Sequence, residues 1–185
     1  YREVEVISGL KDIEQNVEKT DVLFESLINN LLTRGFQDYG LVGEMRSYIH
    51  NIEKSDYPKD MTLMLMVRRH EKDYFLRKQE KYITKLEEAV SLFRYNISKK
   101  NVPPLRKAEM LNLVDKYEDI FHKLVDIDAV IGSHTGQGIR SQLANLAKSG
   151  TENVENVHSQ LVQMESVKSR YLRRNILLVL TCGII

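Results

Sequence analysis

The chain has 185 residues, 42% hydrophobic and 29% charged, proportions that fit a folded, helix-rich body. A formal net charge of +1 provides none of the strongly basic surface that nucleic-acid binding needs, so no nucleic-acid partner is expected. The single cysteine, Cys182, excludes an intrachain disulfide and a thiolate metal site.

The chain opens on Tyr1 without a methionine or signal peptide, so it reads as an excised fragment. In the first segment Val6, Leu10, Ile13, Val17, Thr20, Phe24, Leu27 and Leu31 alternate steps of four and three, a coiled-coil-like seam along one helix. Gly35 and Gly40 end it. A short helix follows over about 41–54, stopped by Ser55-Asp56-Tyr57-Pro58. The spacing then predicts one long central helix over about 58–100, roughly 60 Å at 1.5 Å per residue, broken by Asn101-Val102-Pro103-Pro104. A fourth helix over about 105–131 repeats the four-three steps at Leu113, Tyr117, Ile120, Leu124, Ile127 and Ile131. After the loop Gly132–Gly138, a last helix starts near Ile139 and runs to the end.

That end is apolar. Residues 176–185 read ILLVLTCGII after Arg170, Arg173 and Arg174. Ten residues are half of the roughly 20 that span a bilayer, so residues 175–185 are expected to begin a truncated transmembrane helix, with 1–174 outside the membrane.

An internal repeat is also expected over about 10–55 and 107–150. Phe24 precedes Gly35 by the same interval as Phe121 precedes Gly132. After each loop, Arg46-Ser47-Tyr48-Ile49-His50-Asn51-Ile52 parallels Arg140-Ser141-Gln142-Leu143-Ala144-Asn145-Leu146. No alternating strand pattern competes. The fold expected is all-α: an elongated antiparallel bundle of up-down four-helix layers, with the glycine loops near their junction.

The long helix carries an anomaly. Its seam of Ile97, Phe93, Val90, Leu86 and Ile83 extrapolates through Gln79, Leu76, Lys72, Arg69 and Leu65. Arg69 and Lys72 would then face the interior, with Arg68, Arg77 and Gln79 at its edge. An unpaired buried charge costs several kcal/mol, so these cations need partners. Carboxylates such as Glu71, Asp73, Asp126 or Asp128, solvent, or a bound anion could serve.

The run Val67-Arg68-Arg69-His70-Glu71-Lys72-Asp73-Tyr74-Phe75-Leu76-Arg77, with Tyr82 after it, resembles a signature of helical bimodular sensor domains. Gly40-Leu41-Val42-Gly43-Glu44-Met45-Arg46 is similar to the glycine motif that precedes it in that family. Such domains occur in chemoreceptors and sensor histidine kinases, between two membrane helices. The resemblance implies an extracytoplasmic sensor at the bacterial inner membrane, reading a small organic acid or a periplasmic binding protein and shifting a helix in response. It implies a homodimer and no cofactor. Where members of that family have a basic pair lining a membrane-proximal acid site, this chain has Lys11 and Asp12.

The five histidines show no i, i+4 pair and no zinc motif, so no metal is expected. Gly136-Gln137-Gly138 follows a helix and reads as a turn, and no catalytic constellation appears. The candidate ligand residues are therefore Arg69, Lys72, Arg68, Arg77 and Gln79. The rival reading is a structural helical stalk that binds no ligand.

Overall fold

The structure is a computed structural model and describes residues 2–132 and 136–182. Among the described residues there are six α-helices: α1 (Arg2–Arg34), α2 (Gly40–Lys54), α3 (Met61–Arg77), α4 (Glu80–Lys99), α5 (Pro104–Ile131) and α6 (Gly138–Cys182). There is no strand among the described residues. The chain divides into two compact units, one taking in Tyr1–Glu25 with Ser141–Ile185, the other Ser26–Arg140. His134, in the second glycine loop, lies outside the described residues.

The predicted central helix over 58–100 is two helices. Asp60 caps α3, its carboxylate accepting from the backbone N–H groups of Thr62 and Leu63, a cap typically worth about 1 kcal/mol. At the far end Lys78 takes a left-handed conformation, φ 52°, and the chain doubles back into α4. The two helices pack on each other. The buried positions of α3 are Met64, Val67, Glu71 and Tyr74, and those of α4 include Tyr82, Leu86, Val90, Phe93 and Ile97. The seam drawn through Ile83 and carried back in steps of four and three reaches Gln79, Leu76, Lys72, Arg69 and Leu65, one or two residues away from the α3 stripe.

This shift corrects the burial expected of the cations. Arg69 has 79% of its side chain exposed, and Lys72, Leu76 and Gln79 are exposed too. They occupy the outer face of α3 and its end. Glu71 takes the interior position.

The core of the larger unit comes from α2 to α5, with Met45, Ile49, Val67, Leu86, Phe93 and Phe121 among its sealed side chains. Besides the α3–α4 contact, α2 packs on α5 and α4 on α5. Arg94 of α4 ties to Asp115 and Glu118 of α5, both at 2.7 Å. Tyr57 donates to the carbonyl of Ile97 at 2.8 Å, which also accepts from the Lys100 backbone N–H at the end of α4. Pro104 sits at the first turn of α5, where its missing N–H costs nothing.

Among the described residues no helix is long and apolar enough to cross a membrane. The helical path of α6 continues through Cys182, and residues 183–185 lie outside the described residues.

Candidate functional site

Two polar clusters lie within the larger unit. The first centres on Glu71, 4% exposed. Its carboxylate accepts from the Tyr117 hydroxyl and from Arg68, each at 2.6 Å. Arg68 also approaches Glu53 at 3.9 Å, and Glu53 approaches His50 at 4.0 Å. Burial, followed by the charge of Glu71, pushes the Tyr117 phenol well above its usual range, so it stays a donor. Every member is paired, and a closed network of this kind fixes how helices register.

Within that arrangement the charged signature has a structural role. Glu71 joins α3 to α5, and Tyr74 packs edge-on against Phe121 with ring centroids 5.3 Å apart. Arg69 comes no closer than 4.0 Å to Asp73. Arg77 reaches Asp73 at 3.9 Å and donates to the Tyr82 hydroxyl. The structure does not bring Arg69, Lys72, Arg68, Arg77 and Gln79 together around one point: Arg68 faces inward to Glu71, whereas Arg69, Lys72, Arg77 and Gln79 are exposed.

The second cluster was not singled out from the sequence as a site. Asp128, in the last turn of α5, is 7% exposed. Its Oδ1 accepts from Arg34 Nε at 2.7 Å, and its Oδ2 accepts from Lys78 Nζ. Arg34 is the last residue of α1 and Lys78 caps α3, so one carboxylate ties together three helix ends. Lys78 lies over the rings of Tyr74 and Phe75, 4.9 and 5.0 Å from their centroids, and Arg34 lies 5.7 Å from that of Phe75. Arg140, in the first turn of α6, reaches the same place.

Two cavities of about 190 Å³ each open beside this knot and share Lys78 and Asp128. One adds Arg34, Ile131, Gly132 and Arg140; the other adds Tyr74, Ile83 and Gln137. In the first of these, three cations surround one carboxylate; the second sets Lys78 beside both Asp128 and Glu80. The Lys78 ammonium is pushed down, chiefly by burial. The hydrogen bond and charge of Asp128 oppose this, and Arg34 and Arg140 reinforce it. The Tyr74 phenol is raised, first by burial and then by Asp128. Chemically the cavity lined by Arg34, Lys78 and Arg140 suits a small anion: it has excess positive charge and room for a few heavy atoms.

Glycine geometry builds the ends that meet here. Gly132 and Gly138 have φ of 86° and 78°, and a side chain on either would strike the other's backbone within 3.2 Å. Gly35 and Gly40, with φ of 74° and 64°, close the first loop in the same way. In the glycine motif, Arg46 reaches Asp38 at 3.4 Å and Glu44 accepts from Tyr48 at 2.9 Å.

The sequence held one signal for this site. Asp128 stands on the α5 stripe of Tyr117, Phe121, Leu124 and Ile131, all buried, and an acid at such a position requires a cation. Among the described residues no group of three His, Cys, Asp or Glu side chains is placed to hold a metal. No known protein family matches this chain, and neither a curated protein nor a solved structure does.

Proposed function

We propose that this chain is the extracytoplasmic signal-sensing domain of a bacterial transmembrane receptor, a chemotaxis receptor or a sensor histidine kinase. On this reading its ligand is a small organic acid, or a periplasmic binding protein presenting an acidic group, taken up beside Asp128. One observation supports the reading above the others: Arg34, Lys78 and Arg140 gather round a single carboxylate at an open cavity.

Arg34 ends α1 and Arg140 lies in the first turn of α6, the two helices that run on toward the chain termini. An anion bridging them would tie the end of one to the start of the other. A change of about 1–2 Å in helix position is the usual size of such switches. The apolar residues 176–185 would carry it into the membrane, consistent with a receptor held there by flanking helices.

The structural-stalk reading draws on a different observation, that Asp128 already satisfies Arg34 and Lys78. A thermal-shift screen of small mono- and dicarboxylates separates the two. A sensing domain gains about 2.7 kcal/mol of stability at a ligand concentration 100 times its dissociation constant, and Arg140→Ala, at an exposed position, reduces the response. A stalk shows no shift with any acid, and that result would sink the proposal.

A further inference from the structure

The last turns of α6 change character abruptly. Residues 166–185 hold Lys168, Arg170, Arg173 and Arg174 and no Asp or Glu, while the other 23 Lys and Arg share residues 1–165 with all 26 acids. The helix continues through this stretch to Cys182, so spacing decides which side each cation takes. Arg170, Arg173 and Arg174 stand at i, i+3 and i+4 and share one face. All three are exposed. What Arg170 and Arg174 touch is their own helix: Arg170 donates to the Ser166 carbonyl at 3.4 Å, and Arg174 lies 5.7 Å from the Tyr171 ring centroid. The acids at this end of the unit, Glu3 and Glu165, line a groove with Lys168 and Tyr171. At 100° per residue that groove lies on the side of α6 away from Arg170 and Arg173. Lys168 therefore has its charge offset, and the three arginines do not.

Depth supports a membrane partner for them. Along the helix axis Arg174, Arg173 and Arg170 stand about 3, 4.5 and 9 Å before Ile176, where the apolar run begins. The polar headgroup layer on one side of a bilayer is roughly 5–7.5 Å deep, half the difference between about 40–45 Å overall and about 30 Å of hydrocarbon. With the apolar run in the hydrocarbon, Arg173 and Arg174 fall within that layer and Arg170 at its outer edge. Tyr171, exposed beside them, is a residue that favours the same interface. A guanidinium offers paired donors that match phosphate oxygens. Three of them on one face, with no carboxylate interleaved, fit a row of phosphodiesters.

We propose that Arg170, Arg173 and Arg174 form a collar that binds the phosphodiester headgroups of anionic phospholipid where α6 enters the membrane. The inference rests on the membrane reading of residues 175–185 and adds a lipid preference to it; Asp128 plays no part. Anionic lipid in whichever leaflet meets Ile176 is sufficient. Each cation at such a surface strengthens binding by roughly fivefold, about a hundredfold for three acting fully.

Co-sedimentation of the full chain with vesicles tests this, comparing pure phosphatidylcholine with phosphatidylcholine containing about 30% phosphatidylglycerol. Arg170→Gln/Arg173→Gln/Arg174→Gln removes the collar. Lys11→Gln/Lys19→Gln/Lys148→Gln removes the same charge from exposed positions elsewhere in the unit and is the control. Circular dichroism checks the helix content of both. The expected result is a wild-type affinity about tenfold or more higher for the anionic vesicles at low salt. That preference is lost in the collar variant, kept in the control and screened in about 0.5 M salt. Equal wild-type affinity for both vesicles overturns the collar and leaves the membrane reading standing. A preference that the collar variant keeps, or that the control loses equally, also overturns it. Binding to neither vesicle overturns the collar and the membrane reading together.

Discussion

Replacing Asp128 with asparagine removes one charge and keeps the shape, so it isolates what the carboxylate does. Arg34 and Lys78 then face each other with side chains only 22% and 15% exposed. Each charge-assisted hydrogen bond is worth about 1.5–3 kcal/mol net, and breaking a buried pair from one side costs about 3–5 kcal/mol. Neither cation is sealed from water, so the lower part of that range applies, about 3 kcal/mol for Asp128→Asn. The loss also releases Lys78, whose left-handed backbone the ion pair helps to hold. Urea unfolding followed by far-ultraviolet circular dichroism reads the change as a shift in midpoint. The added anion tests the site further. With Asp128 neutral, millimolar phosphate or succinate should restore part of the lost stability, because it supplies the charge that the cations lack. A loss below about 0.5 kcal/mol, the range of ordinary surface changes, would show that the cations did not depend on Asp128.

Glu71→Leu should cost about 3 kcal/mol, because the Tyr117 hydroxyl and Arg68 both lose their acceptor, whereas exposed Arg69→Ala should stay within about 0.5 kcal/mol; parallel urea titrations compare them. Lys78→Gly and Lys78→Ala lose the same ion pair, but only glycine takes φ 52° freely, so the glycine variant should be more stable by about 1 kcal/mol. His70 has its pKa lowered by burial first, with Lys85 and Arg69 adding to it and Asp73 and Glu88 opposing. The unfolded state therefore takes up the proton first, and stability falls as pH drops below about 6.5 toward the folded-state pKa. His70→Gln should flatten the midpoint measured between about pH 7 and 5; an unchanged slope would remove His70 as its source.

Much of the helical plan was legible because apolar spacing and breakers agree. Gly35, Gly40, Pro104 and Gly132 mark helix ends within a few residues. The break at Lys78 was not legible in that way. No glycine or proline stands there, and the trace is that the seam drawn through Ile83 misses Tyr74, Glu71 and Val67 by one or two residues. Extrapolating the seam across it turned Arg69 and Lys72 inward and left Glu71, the true interior residue, among their possible partners.

The site had a similar fate. Asp128 was visible as a carboxylate able to neutralise a buried cation, but its partners are Arg34 and Lys78, far from it in sequence. Tertiary packing alone brings together the ends of α1, α3 and α5. In α1 the seam was read correctly as apolar, but half of it, at Leu10, Val17 and Phe24, remains uncovered within one chain.

Titration calorimetry of small dicarboxylates into the wild-type chain and Arg140→Ala measures the anion site most directly. The expected result is saturable binding at one site per chain, weakened about tenfold or more by Arg140→Ala, in line with about 1.4 kcal/mol for one charged contact. No binding at millimolar acid, or binding that Arg140→Ala leaves unchanged, would contradict a sensing role for the cavity beside Asp128.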